Sequence, residues 1–287
     1  MKLLVQPEAG IEPVVQAIKR AKRSVDIAIF RLDRPEIEAA LAAAVARGVP
    51  VRALVAHTNS GGDAKLRKLE QRLLADGISV TRSGDDLVKY HGKYLLADDT
   101  LHLLGFNLTR LDVTRSRSFG IQTRDRRAVR DARDLFEGDL TRQPYSGPAS
   151  SPLVVSPETA RPALQKFIAG AKSRLAIYEP RLHDRRVVQL LQERAARGVQ
   201  VQILGKATRV PDGAELRGMA RLRLHVRAIV RDGTRAFVGS QSLRPLELDR
   251  RREVGLLITN PAVARRMLEV FDEDWEAASG NILKKAS

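Results

Sequence analysis

Apolar and polar positions fall into short blocks whose order is repeated in the two halves of the chain. In the first half, Leu3–Val5, Val25–Phe30 and Val51–Val55 are apolar runs of strand length. Between them, Pro13–Ala21 and Pro35–Arg47 carry apolar residues at helical spacing. The second half repeats this order, with strands Leu153–Val155, Leu175–Tyr178 and Val201–Leu204 and helices Ala160–Ala171 and Arg185–Arg197. Gly48 and Gly198 close the second helix of each half, where glycine accepts the left-handed angle past a helix end.

Each half then continues with a hairpin, Tyr94–Ala97 with Leu101–Leu104 and Ala228–Val230 with Ala236–Val238. A further strand follows, Phe119–Gln122 or Val254–Ile258, and then a last helix; Asn260-Pro261 starts the second of these as cap and first-turn residue. Ala46-Arg47-Gly48-Val49 aligns with Ala196-Arg197-Gly198-Val199. The pattern predicts an α/β protein of two repeated units with mixed sheets. The expected units are residues 1–143 and 153–287, joined by a linker at 144–152 rich in Pro, Gly and Ser.

The 287 residues include 50 Lys and Arg against 34 Asp and Glu, a formal charge of +16, and no cysteine. Disulfide frameworks, thiolate metal sites and cysteine nucleophiles are thereby excluded. The apolar start Leu3–Val5 is too short for a secretory leader, and no run reaches the length of a membrane span. A cytoplasmic protein is expected, one able to sit peripherally on an anionic membrane. The charge predicts a polyanionic partner, either nucleic acid or a phospholipid surface. Oligomeric state is left open, since one chain supplies both halves.

Candidate chemistry lies just before each hairpin. His91-Gly92-Lys93 precedes Asp98, and His225-Val226-Arg227 precedes Asp232, giving His-x-cation-x4-Asp twice. Residues two apart on a strand share a face, so each imidazole projects with its cation. Polar elements follow: Gly105-Phe106-Asn107 in the first half and Gly239-Ser240-Gln241-Ser242 in the second. Glu253 stands near the second, and Ser118 holds the corresponding place in the first.

Paired H-x-K-x4-D segments, each with a Gly-Ser-x-Asn element behind it, resemble the phospholipase D superfamily over essentially the whole chain. That superfamily includes phospholipases D, cardiolipin and phosphatidylserine synthases, and metal-independent nucleases. The resemblance implies a pseudo-twofold fold in which both motifs meet at one site. It implies His91 as nucleophile, forming a phosphohistidine, and His225 as acid and then base. Lys93, Arg227 and Asn107 would hold the phosphate oxygens, with Ser240 and Ser242 beside them, and Glu253 would orient an imidazole. No metal or cofactor is implied. The sequence departs from the pattern at Arg227 (for Lys), at Ser242 (for Asn) and at Ser118 (for an orienting Glu). The first hairpin is also one residue short before Asn107.

Other residues read less specifically. Asp98 and Asp232 precede turns and are expected to be structural. His57, His183 with Asp184, and Glu179 lie at strand ends that can face a substrate, while His102 is expected to be exposed on the hairpin. The run Arg250-Arg251-Arg252 suits either phosphate gathering or a solvated loop. Three functions follow: a phosphodiester hydrolase or phosphatidyltransferase acting on phospholipid, a nuclease, or a binding module that keeps a weakened site as a phosphate clamp.

Overall fold

A computed structural model describes residues 1–59, 61–148 and 150–278. Its first half forms β1 (Lys2–Gln6), α1 (Glu12–Arg20), β2 (Val25–Ile29), α2 (Pro35–Ala46), β3 (Val51–Val55), α3 (Asp63–Ala75) and β4 (Ser79–Arg82). The hairpin β5 (Tyr94–Ala97) and β6 (Thr100–Leu104) follows, then α4 (Arg110–Arg115), β7 (Ser116–Thr123) and α5 (Arg126–Thr141). The second half forms β8 (Leu153–Ser156), α6 (Ala160–Ala169), β9 (Arg174–Leu182), α7 (Arg185–Ala196), β10 (Gln200–Ala207), β11 (Ala214–Arg217) and β12 (Arg223–Leu224). It ends with β13 (Arg227–Arg231), β14 (Arg235–Gly239), α8 (Pro245–Asp249), β15 (Glu253–Ile258) and α9 (Pro261–Ala277).

The two sheets share one strand order. It runs β4-β3-β2-β5-β6-β7-β1 in the first and β11-β10-β9-β13-β14-β15-β8 in the second. Within each, the strand pairs β2–β3–β4 and β9–β10–β11 are parallel and the hairpin side is antiparallel. This is the predicted α/β architecture of two pseudo-symmetric lobes. The signals read in sequence operate as expected. Gly48 and Gly198 take φ of 80° and 83° behind α2 and α7, and Asn260 accepts from the amides of Ala262 and Val263 at the start of α9. The segment containing α3 and β4 has no counterpart in the predicted elements, because its charged residues are as many as its apolar ones and interrupt them; Leu66, Leu69 and Leu73 nevertheless bury one stripe of α3.

Both faces of each sheet are covered, so successive strand residues enter different cores. Leu95 and Ala97 join the outer core under α1, α2 and α3, while Tyr94 and Leu96 join a central core that spans both halves. That central core contains Phe136 of α5 and Phe271 and Trp275 of α9, with Phe119, Tyr178, Phe271 and Trp275 in consecutive ring contacts of 5.1–5.7 Å. The expected linker packs against it: Tyr145 is buried there, and the Ser151 hydroxyl donates to Asp131 at 2.5 Å. Ala149, in the middle of that segment, lies outside the described residues.

Candidate active site

The segments that precede the two histidines cross between the lobes. β12, just before His225, pairs in parallel with Ser116 and Arg117 of β7, in the first sheet. Tyr90, just before His91, makes the matching bridge to Arg252 at the start of β15, in the second sheet. The His91 amide donates to the Arg252 carbonyl at 2.7 Å, and the amides of His225 and Val226 donate to the Arg117 carbonyl at 3.3 and 3.0 Å. Each histidine is therefore held by the backbone of the opposite lobe. This brings motifs 134 residues apart in sequence (225 − 91) to one place.

An arginine locks each crossing. The Arg252 guanidinium is buried and binds Asp139 of α5 at 3.0 Å, Glu158 at 2.5 Å and the Ser156 carbonyl at 2.9 Å. Arg117 repeats this with Asp274 of α9 at 2.7 Å, Glu8 at 3.0 Å and the Gln6 carbonyl at 2.9 Å. Arg252 is thus turned into the protein, which removes it from the phosphate-gathering reading of the Arg250–Arg252 run. Arg251 remains near the site: it pairs with Glu247 at 2.9 Å, and its charge acts on His91.

His91 Nδ1 lies 2.7 Å from Glu253 Oε2, and the ring packs edge-on against Phe30 at 4.5 Å. Burial, and after it the charges of Lys93 and Arg227, push the His91 pKa well below the ordinary histidine value. The ring is therefore neutral near pH 7, with Nδ1–H donating to the carboxylate and Nε2 turned away from it. Burial also raises the Glu253 pKa, opposed by Lys93 and by the Ser240 hydroxyl. His225 is depressed too, by burial first and then by Arg227, Lys93, Arg223 and His91. These mutual effects mean that both rings and both cations share one electrostatic site.

The cations are aimed alike. Lys93 Nζ donates to the His91 carbonyl at 2.7 Å, and Arg227 Nη1 donates to the His225 carbonyl at 2.9 Å. Arg227 Nε also donates to the Ser242 hydroxyl at 3.0 Å, so Ser242 holds the guanidinium in place. Lys93 is fully buried, and desolvation brings its pKa down to about 7. The Ser240 hydroxyl accepts from the Val254 amide at 3.0 Å, next to Glu253.

The site is not symmetric, and sequence reasoning missed the residue that makes the difference. Ser118 occupies the place of Glu253, but its hydroxyl donates to the Gly105 carbonyl at 2.9 Å. Asp112 of α4 fills the gap instead, with Oδ2 3.3 Å from His225 Nε2, although that nitrogen makes no hydrogen bond. Asp112 also accepts from the Asn107 amide at 2.9 Å and its side-chain Nδ2 at 2.7 Å, and it binds Arg223. One N–H of the Asn107 amide is thus held by Asp112, and its Oδ1 is buried without a partner. Asn107 thus also supports Asp112 beside His225.

The missing residue of the first hairpin is in its turn. Asp98-Asp99 makes the turn between Ala97 and Thr100, whereas Asp232-Gly233-Thr234 spans Arg231 to Arg235. The strands then return to register: the Gly105 amide donates to Phe119 as the Ser240 amide donates to Val254. Asn107 and Ser242 are equivalent as expected, but Gly105 matches Ser240 and Leu104 matches Gly239. Asp98 accepts from the amides of Lys22, Arg23 and Ser24, and Asp232 from those of Lys172, Ser173 and Arg174, which fits the structural role expected of them.

The remaining candidates divide. Glu179 is buried, accepts from the amides of Arg181 and Leu243 at 2.7 and 2.8 Å, and feels the Arg227 charge. Its backbone is approached so closely by Gly205, at φ 152°, that a Cβ there would lie 1.8 Å from the Glu179 carbonyl oxygen. His57 contacts Ser83, and His183 contacts Thr208; neither bonds to the paired motifs. Asp184 caps α7 through the Val187 amide. His102 is buried, with 1% of its surface exposed, where exposure was expected, because β6 lies between β5 and β7 within the sheet and α1 packs on its outer face. Among the described residues, no helix is long and apolar enough to cross a membrane.

Comparison with known proteins agrees with this geometry. No curated protein matches the sequence. The fold is similar to that of the polyphosphate kinase of Porphyromonas gingivalis, with a TM-score of 0.79 at 19% identity over 96% of this chain. The chain spans only 50% of that enzyme's length. It is also similar to the phosphatidylserine synthase of Haemophilus influenzae Rd KW20, with a TM-score of 0.72 at 12% identity over 99% of this chain and 87% of the synthase. The family described as "Cardiolipin synthase, PLD-like domain" matches residues 14–140 and 164–275, one match in each half. With its crossed, duplicated histidine motifs, the chain belongs to this family and so to the phospholipase D superfamily.

Proposed function

We propose that the protein cleaves or transfers a phosphodiester through a phosphohistidine on His91, with phospholipid as its substrate. The observation that carries this reading is the 2.7 Å contact of His91 Nδ1 with buried Glu253, which leaves Nε2 as the nucleophilic nitrogen beside Lys93 and Arg227. Nε2 attacks phosphorus, the P–O bond to the leaving group breaks, and the imidazolium of His225 gives its proton to that oxygen. Water or an alcohol then attacks phosphorus, its proton passes to His225, and the P–N bond breaks. Lys93 and Arg227 balance the charge that builds on the non-bridging oxygens.

The lipid reading is supported at the rim. Val88 is 50% exposed just upstream of His91, and Leu111 is 47% exposed beside Asp112. Lys89 and Arg110 flank them, so apolar and cationic groups alternate around the site, as suits an anionic bilayer surface. Turnover on anionic phospholipid vesicles and on single- and double-stranded DNA, compared across a salt series, tests this. Vesicle lipid is expected to be the substrate. Val88→Asp and Leu111→Asp are expected to raise KM for vesicles about tenfold each while sparing a soluble short-chain phosphodiester. Cleavage of DNA alone, falling steeply with salt, would replace the lipid by a polynucleotide.

Two measurements follow from the titrating groups. The nucleophile must be neutral and the acid protonated, and both histidines sit below their ordinary value of 6.5. As pH rises, His225 loses its acid form; as pH falls, His91 gains a proton and its nucleophilicity is lost. The pH profile of kcat/KM is therefore expected to peak below 6.5 and to decline steadily toward pH 8. Burial brings Lys93 down to about 7. An anion between the two cations stabilises its charged form. Calorimetric titration with inorganic phosphate at pH 7.5 is accordingly expected to show net proton uptake, read as a buffer-dependent heat that Lys93→Met reduces.

A further inference from the structure

The lobes provide an internal control for a cleft outside this site. A cleft of about 600 Å³ opens between α1 and the far ends of β5, β6 and β7. Lys93 leads into the near end of β5, whereas Ala97 lines the cleft at the other end, about 13 Å along the strand. Of the first motif only Asp98, held by backbone amides, reaches the lining; His91, Lys93, His225 and Arg227 do not.

Strand register and the Asp98 and Asp232 contacts align each lining position with one in the other lobe. There the same space is filled: Arg231 stacks on Phe167 at 4.8 Å and donates to its carbonyl at 2.9 Å, against Gly170. In the first lobe Ala97 and Ala17 replace Arg231 and Phe167, which opens the cleft. Its walls are polar where the second lobe is apolar or small. His102 pairs with Leu95 and Gln122 as Phe237 pairs with Ile229 and Leu257, and Arg20 and Arg124 stand in the places of Gly170 and Thr259. The fold does not require this lining, since the second lobe packs the same elements without it.

The lining has unused donors. Lys2 and Arg20 make no carboxylate contact among the described residues, and Arg124 reaches only the Thr100 hydroxyl at 3.2 Å. Of the nearby carboxylates, Asp98 is held by backbone amides and Asp99 by Arg23, while Glu12 accepts from Gln16 and keeps its charge at the opening. His102 is buried behind them, with Nδ1 lacking any partner. We propose that this cleft is a second binding site, for a small anion carrying phosphoryl groups. Its volume lies within the range of small-ligand sites, and three uncommitted cations around one opening match a multiply charged phosphate. The proposal is independent of the chemistry assigned to His91.

Calorimetry with pyrophosphate and with ATP, joined to NMR of the protein labelled in its 5 histidines, tests it. The two probes separate an inorganic source of the phosphoryl group from a nucleotide. Either probe is expected to move the His102 resonances, in wild type and equally in His91→Ala. Arg124→Thr, the second-lobe residue, is expected to weaken binding about tenfold or more. Ala17→Phe/His102→Phe, which fills the cleft with the second lobe's two rings, is expected to leave only the heat that Lys93→Met removes. Shifts confined to His91 and His225, or equal binding by Arg124→Thr and wild type, would overturn the proposal. Arg124 is exposed, so its variant keeps the test decisive if the double variant does not fold.

Discussion

Replacing His91 by alanine is expected to lower kcat on any accepted phosphodiester by about 10⁴-fold or more while leaving the unfolding midpoint nearly unchanged. In the proposed mechanism the ring supplies the bond-forming nitrogen, and nothing else described beside Lys93 can replace it. Glu253→Gln separates orientation from nucleophilicity. The amide preserves the shape but weakens the acceptor for Nδ1–H, so a loss of about 10²–10⁴-fold in kcat is expected, with KM little changed. A binding module that uses the site only as a phosphate clamp would show neither kinetic effect. Measuring kcat and KM for both variants on a phosphodiester with a good leaving group distinguishes these outcomes.

The largest effect on stability is expected at Arg252. Its buried guanidinium joins Asp139 of the first lobe to Glu158 of the second, and Arg252→Met leaves the Asp139 carboxylate buried without its partner. Breaking a buried pair in this way costs about 3–5 kcal/mol, which denaturant unfolding will read. The pH dependence identifies the cause. Burial already raises Asp139 to about 6, and without Arg252 it rises further. A carboxyl raised in the folded state binds more protons folded than unfolded, so the lost stability returns as pH falls through the folded pKa toward the unfolded value. The defect of Arg252→Met is expected to be greatest at pH 7–8 and smallest near pH 4, and Asp139→Asn in the same chain should remove most of that dependence. The His91 amide hangs on the Arg252 carbonyl, so the Nδ1 proton resonance of His91 is expected to broaden or vanish in this variant.

Much of the fold was legible because local rules and the repeat agreed. The cap of α9 is a short-range feature, as are the glycines behind α2 and α7 and the hairpins with their leading His-x-cation motifs; finding the last two in both halves set the order of elements along the chain. Glu253 was legible through the family resemblance, since its repeat partner Ser118 gives no such signal. What escaped depends on contacts across the lobes. Asp112 reaches His225 only because β12 crosses to β7; its counterpart five residues beyond Ser242, Glu247, pairs with Arg244 and Arg251 instead. Arg117 and Arg252 look like members of solvated basic runs until the crossed strands turn their guanidinium groups inward. The shortened hairpin misled by one position because length alone does not show whether a residue is lost from a turn or from a strand.

The same reasoning explains why a modified second motif is compatible with chemistry. Arg227 keeps a fixed positive charge and a second donor for Ser242, which holds the planar group in one orientation. Asp112 supplies a carboxylate near His225 from a different direction than Ser118 could. His225 Nε2 is buried and faces the Asp112 carboxylate, so in the proposed mechanism its proton exchange falls to the opposite ring nitrogen, Nδ1.

The central claim is that phosphorus becomes bonded to His91. Its most direct test is rapid mixing with an activated phosphodiester, an alkaline quench that preserves a P–N bond, and tandem mass spectrometry of the histidine peptides. His225→Asn, which slows the second step more than the first when the leaving group needs no acid, is expected to accumulate one adduct on His91, absent from His91→Ala. Full turnover with no adduct on His91, or an adduct on another residue that survives His91→Ala, would contradict the account.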